Sequence, residues 1–340
     1  MKKILVTGGL GYIGSHTVVA LQQNGYSVVI IDNLSNSTIE TLEGITQITK
    51  TPPEFERLDV RNKNELSSFF EKYQNIEGVI HFAASKAVGE SVENPLLYYE
   101  NNVASLVYLL QECKLRGIAN FIFSSSCTVY GEPDTLPINE EAPIKKAISP
   151  YGNTKQICEE IISDFCDVSA FNAISLRYFN PVGAHDSALI GELPVGVPQN
   201  LVPFITQTAA GVRDQLSVFG DDYPTPDGSC IRDYIHVVDL ANAHVKAIER
   251  LIRAENSKKF RIFNVGTGKG SSVLEIVAAF EEVTGVKLNY KIVDRRQGDI
   301  IAVYADTTKA NQELGWKAEY DIKVALRSAW EWEKKVRGLN

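Results

Sequence analysis

A short β-branched run, Lys3 to Thr7, passes directly into Gly8-Gly9-Leu10-Gly11-Tyr12-Ile13-Gly14, and a helical pattern follows. A strand, a glycine-rich turn and a helix in immediate succession leave few folds open. Glycines allow the tight turn and a close backbone approach, and the first amides of the helix then face a pyrophosphate. The second strand-like run, Ser27 to Asp32, ends in a carboxylate eighteen residues after Gly14. A carboxylate at that tip accepts hydrogen bonds from an adenosine ribose and repels a 2'-phosphate, so NAD is expected over NADP. No arginine follows Asp32 to compensate; the next residues are Asn33-Leu34-Ser35. Asp59, closing a third run, either reaches the adenine edge or is a solvated loop acid.

The alternation continues to about residue 180. Glu54 to Asp59, Val79 to Ala83, Phe121 to Ser125 and Ala173 to Tyr178 read as strands, and Ile13 to Asn24, Lys63 to Tyr73, Pro95 to Arg116 and Pro150 to Asp167 as helices. This predicts an α/β fold with a doubly wound parallel Rossmann sheet over residues 1–180. Residues 181–340, richer in Gly and Pro, are expected to form mainly a smaller mixed α/β lobe for the substrate, with some segments returning to the main sheet. Helical patterns at Val238 to Ala254 and Val273 to Val283 flank a strand-like run, Phe260 to Val265. A chain of 340 residues with 44% hydrophobic content is long enough for two such lobes.

A net charge of -8 argues against a nucleic-acid or anionic-membrane partner. No apolar run approaches the ~18 residues of a membrane span, and a cytoplasmic protein without a targeting segment is expected. The five cysteines form no C-x-x-C pair and read as buried free thiols, and the five histidines show no ligand spacing, so no metal is expected.

Among the fourteen tyrosines only Tyr151 is followed four residues later by lysine, Lys155. Ser149-Pro150 supplies an N-cap and a first-turn proline, which stacks Tyr151 and Lys155 on one helical face. A nearby ammonium and a helix N-terminus favour the phenolate, so Tyr151 is a candidate general acid/base. Ser124-Ser125-Ser126-Cys127-Thr128 places hydroxyls at the carboxyl edge of the sheet, where ligands bind. Ser126 is the candidate partner that relays a proton to Tyr151.

These residues, in this order, resemble the extended short-chain dehydrogenase/reductase family and its UDP-galactose 4-epimerase branch. The resemblance runs through Lys86-Ala87-Val88-Gly89-Glu90-Ser91, Asn101-Asn102, Arg177-Tyr178-Phe179-Asn180-Pro181-Val182-Gly183-Ala184, Arg232 to Val237 and the stretch Arg296 to Asp299. It implies a cofactor site of Gly8, Gly11, Tyr12, Ile13, Asp32, Asn33, Asp59, Val60, Phe82, Ala83, Lys86, Asn101, Ser124, Tyr151, Lys155, Tyr178 and Phe179. For the UDP-sugar it implies Ser126, Tyr151, Asn180, Asn200, Leu201, Phe219, Arg232, Arg296, Asp299 and Val303. It further implies a homodimer and a reaction through a 4-keto sugar with bound NAD.

Two other functions compete. A sugar-nucleotide 4,6-dehydratase would need an acidic pair after the active-site hydroxyl, where this chain has Cys127-Thr128-Val129. A non-catalytic NAD-binding regulator would lack the Tyr151 and Lys155 pair. Val303 stands where glucose-restricted relatives carry a bulky aromatic, so N-acetylated UDP-sugars are expected to be accepted as well. A shifted alignment would instead make Val303 a plain buried strand residue.

Overall fold

Parallel strands require crossovers, and the first half of the chain supplies a helix at each. In the computed structural model, which describes residues 1–296 and 298–339, β1 (Lys3–Thr7), α1 (Tyr12–Gln23), β2 (Ser27–Asp32), α2 (Glu40–Thr49), β3 (Glu54–Arg57), α3 (Lys63–Lys72) and β4 (Ile76–His81) alternate without exception. Gln297, inside the Arg296 to Asp299 stretch, lies outside the described residues. Next come α4 (Val88–Glu93), α5 (Pro95–Tyr98), a six-residue wide turn of π type (Tyr99–Ala104), α6 (Ser105–Arg116), β5 (Asn120–Ser126), α7 (Pro150–Asp167) and β6 (Asn172–Tyr178). The remainder is β7 (Asn180–Val182), α8 (Leu201–Ala209), β8 (Leu216–Phe219), β9 (Ile231–His236), α9 (Val237–Ile252), β10 (Phe260–Val265), β11 (Gly270–Ser272), α10 (Val273–Thr284), β12 (Tyr290–Val293), β13 (Ala302–Val303) and α11 (Ile322–Arg337).

Seven strands form one parallel sheet in the order β10-β6-β5-β4-β1-β2-β3. Its strands read as apolar runs because both faces are covered. Leu21, Leu240 and Ile248 of α1 and α9 pack on one face, and Leu66, Leu109 and Ile162 of α3, α6 and α7 on the other. The order reverses between β1 and β4, which opens the crevice at the carboxyl ends where ligands of such sheets bind. A smaller sheet, β11-β9-β13 with β7 beside β9, carries the opposite wall.

Four expected elements differ in detail, the first being the strand expected over Val79 to Ala83, which is β4 at Ile76–His81. The third strand stops at Arg57, because Asp59 turns the chain: its carboxylate accepts the Arg61 amide at 2.9 Å and its carbonyl the Asn62 amide at 2.8 Å. The helix expected over Pro95 to Arg116 is interrupted by the wide turn, a geometry that recurs at functional sites. Its Asn102 accepts the Ser85 amide at 2.8 Å and donates to the Ser85 carbonyl at 3.0 Å, fixing the loop that carries Lys86. The strand-like run Ile300 to Ala305 narrows to the two residues of β13.

Candidate active site

Gly8 adopts φ +69°, and a Cβ there would lie 2.8 Å from the Ala83 amide nitrogen. At Gly14 a Cβ would stand 2.2 Å from the Gly8 carbonyl oxygen, so α1 packs on the turn only without one. Gly11 caps α1 without a side chain, which leaves the first amides of the helix to a ligand. A Cβ on Gly11 would touch only the Gly8 carbonyl, at 3.3 Å, and otherwise project into open space. This cradle fits a pyrophosphate. Asp32, 6% exposed, accepts the Leu10 amide on Oδ2 (3.1 Å) and the Leu34 amide and Ser37 hydroxyl on Oδ1 (2.9 and 2.8 Å). Two lone pairs per oxygen leave it capacity for one more donor at Oδ2. It lines a small cavity with Asn33, Asp59, Val60, Ala83 and Asn101. Asp59 is held well down, at about 2, first by its hydrogen bond from Arg61. It also accepts from Asn33 at 3.1 Å, so this acid shapes the wall through its neighbours.

A second, much larger cleft of about 1770 Å³ runs from the glycine turn to the small sheet. That exceeds the ~300–1,000 Å³ typical of a single small-molecule pocket and gives room for a dinucleotide and a second ligand together. Gly8, Gly11, Tyr12, Ile13, Asn33, Phe82, Lys86 and Asn101 line it on one side, and Asn180, Asn200, Leu201, Phe219, Arg232, Arg296, Asp299 and Val303 on the other. Arg232 of β9 donates to the Ile231 and Ile300 carbonyls at 2.9 and 2.7 Å. Arg296 donates to Asp299 at 2.7 Å and lies 5.5 Å from the Phe219 ring centroid. Two guanidiniums on one wall suit a diphosphate.

Cys127, Thr128 and Ser149 line the cleft, and Ser126 and Tyr151 lie one and two residues from them in the chain, behind that surface. Ser149 caps α7, its hydroxyl accepting the Gly152 amide at 3.2 Å, and Pro150 begins the first turn. Lys155, 4% exposed, donates to the Ser124 carbonyl at 2.6 Å, and its Nζ lies 5.8 Å from the Tyr151 ring centroid. Burial pushes the Tyr151 phenol up to about 12, and the Ser126 hydroxyl acts against that shift. Burial also pulls Lys155 down to about 8, opposed by Cys158 and Glu159. The expectation that the chain itself favours the phenolate is corrected here: its own groups hold Tyr151 protonated, because burial outweighs its partners.

Tyr178 and Phe179, expected at the cofactor, have buried side chains, with Tyr178 beside Ser124 and Tyr151. The Tyr178 hydroxyl pairs with His244 at 3.1 Å, and Phe179 packs with Val129, Tyr130 and Val303. Three wall residues escaped the sequence reading. Cys127 lines the cleft next to Ser126; Glu192 accepts from Lys86 at 3.4 Å and from Asn200 at 2.9 Å; Trp332 donates to the Glu192 carbonyl at 2.9 Å. Glu192 lies in the Gly191-Glu192-Leu193-Pro194 loop, whose irregular composition was its only signal.

The family model of GDP-mannose 4,6 dehydratase matches residues 5–329. The UDP-glucose 4-epimerase of Haemophilus influenzae is 50% identical over 332 residues, covering 97% of each chain. A crystal structure of the Stenotrophomonas maltophila UDP-glucose 4-epimerase with NAD and formylated UDP-arabinopyranose superposes with a TM-score of 0.95 at 46% identity, covering 99% of both chains. That of the Bifidobacterium longum enzyme, with NAD+ and UDP, gives 0.94 at 46% identity, covering 98% of both. With its glycine cradle, strand-tip acid and capped Tyr-Lys helix matched along nearly the whole chain, the protein belongs to the extended short-chain dehydrogenase/reductase family, in its UDP-glucose 4-epimerase branch.

Proposed function

We propose that the chain interconverts UDP-glucose and UDP-galactose with tightly held NAD. The observation that supports this reading is a cleft that joins a dinucleotide cradle to a two-arginine wall past Cys127, Thr128 and Ser149, with Ser126 hydrogen-bonded to Tyr151 and Lys155 to Ser124 directly behind them. When bound, the nicotinamide would accept hydride from sugar C4 and return it, and its positive charge would favour the Tyr151 phenolate that burial disfavours. Tyr151, aided by Ser126, takes the proton of the 4-hydroxyl and gives it back after a 4-keto sugar has turned over. Arg232 and Arg296 keep the diphosphate in place while the sugar turns. Asp32 favours NAD over NADP, since Arg61, the nearby guanidinium, is already bound by Asp59.

The dehydratase reading is disfavoured by Cys127. Its thiol, pushed up to about 12 by burial, stands where an acid/base carboxyl would be needed. Incubation with UDP-glucose, without added cofactor, should yield UDP-galactose, separated by chromatography. A 4-keto-6-deoxy product, or none, would overturn the assignment.

Val303 widens the proposed substrate range. It lines the cleft, 5% exposed, and pairs in register with Arg232. Tyr304 does not refill the space, since its ring packs beside Gly270. UDP-N-acetylglucosamine and UDP-N-acetylgalactosamine are therefore proposed as a second substrate pair. Homodimerisation is supported by the family pattern and is checked by light scattering. A cytoplasmic location accords with the lack of a helix long and apolar enough to cross a membrane among the described residues, and is checked by fractionation.

A further inference from the structure

Immediately behind the reacting groups lies an ion pair that the reaction does not use. Glu159 of α7 and Arg177 of β6 are 7% and 3% exposed. Arg177 donates to both carboxylate oxygens, Nε at 3.1 Å and Nη2 at 2.6 Å. Two serine hydroxyls also donate to Glu159, Ser125 at 2.6 Å and Ser175 at 2.7 Å. Taking two charges out of water costs several kcal/mol per ion, and apolar residues of the same volume often stabilise a fold as well or better. Stability alone therefore explains the pair poorly.

Its position explains more. Glu159 stands one helical turn beyond Lys155. Ser125 stands between Ser124, whose carbonyl holds the Lys155 amine, and Ser126, which faces Tyr151. In β5 the register sets Ser125 opposite Arg177. One carboxylate thus ties α7 to the strand end at one residue's remove from both contacts. We propose that Glu159 and Arg177 are positioning residues: they lock α7 against β5 so that Lys155 and Ser126 meet Tyr151 in reacting geometry. The proposal rests on the reading of Tyr151 and Lys155 given above.

The charges around Lys155 agree. Its own helix supplies Tyr151, Cys158 and Glu159, β6 supplies Arg177, and β4 supplies His81, which burial holds down at about 3 and therefore neutral. Glu159 raises the Lys155 pKa against burial, so its loss should let Lys155 discharge at lower pH.

The test is the double variant Glu159→Gln/Arg177→Met, which removes both charges together and keeps an oxygen for the two serines. In the holoenzyme, bound NAD and KM for UDP-galactose should stay within about twofold, while kcat falls about tenfold or more. The alkaline limb of the kcat profile should move, as should the Lys155 midpoint in a ¹³Cε-lysine NMR titration assigned with Lys155→Met. A kcat within about twofold of the parent, with limb and midpoint unmoved, overturns the proposal. A parent that does not epimerise sinks the functional reading instead, and the Lys155 midpoint still decides this one. If the double variant fails to fold, Ser125→Ala decides: it cuts one tether and should lower kcat about threefold or more at constant KM, and an unchanged kcat overturns the lock.

Discussion

Tyr151 and Lys155 pull their environment in opposite directions. Burial raises the phenol to about 12 and lowers the ammonium to about 8, so both groups are shifted toward neutrality. A base prepared this way works only with positive charge beside it, which makes the pair mutually dependent. Tyr151→Phe should lower kcat at least about a hundredfold, with bound NAD and the unfolding midpoint unchanged. Near-full activity in that variant would rule out Tyr151 as the base. A separate property, the range of sugars accepted, is proposed for Val303. Val303→Tyr refills the space beside the sugar, and overpacking of this kind costs about 1–3 kcal/mol. Its kcat/KM for the N-acetylated pair should fall roughly 5- to 150-fold relative to the glucose pair. Equal losses on both pairs would show that Val303 acts only as a core residue.

At the level of elements, α7 would couple local stability to chemistry because its first turn carries Tyr151, the proposed base. Ser149→Ala removes the hydroxyl that accepts the Gly152 amide, and should cost about 1 kcal/mol of stability in denaturant titration. It should also lower kcat, since the fraying turn contains Tyr151; unchanged kcat with the stability loss would separate the two roles. The elements of the doubly wound half were legible because each parallel strand is an apolar run between strong turn signals, as in Ser27 to Asp32. The wide turn at Asn101 was not legible, since nothing in the Pro95 to Arg116 pattern marks an extra residue per turn. α2 and α11 were missed for a different reason. α2 buries only Gly44 and Ile45, whereas in α11 Ile322, Ala325, Leu326, Ala329 and Trp330 do recur at helical spacing, but mostly as small or half-buried side chains interleaved with charged ones. The same contrast holds in the site. Tyr151, Lys155 and Asp32 announce themselves through spacing, and Cys127 through its neighbour Ser126, whereas Glu192 comes from an irregular loop with no spacing to mark it.

Over the whole molecule, buried histidines set the response to acid. Burial lowers His16 and His81 to about 3 and His236 and His244 to about 4, while the unfolded chain protonates all four near pH ~6.5. A depressed folded pKa means stability that is complete above the unfolded value and lost as pH falls toward the folded one. The melting temperature should therefore begin to drop below pH ~6.5. Asp239, raised to about 6 by burial, opposes the trend only once it takes up its proton. A melting temperature constant from pH 7 to 5 would contradict this account. The strand order of the large sheet bears on how the molecule is made. β10, at residues 260–265, completes the sheet beside β6. During vectorial synthesis the outer edge of β6 stays bare until that segment has left the ribosome, so a nascent chain paused earlier presents unpaired backbone and apolar side chains to its neighbours. The interval from Tyr178 to Phe260 is the longest for which any strand of this sheet waits for its next neighbour to be made.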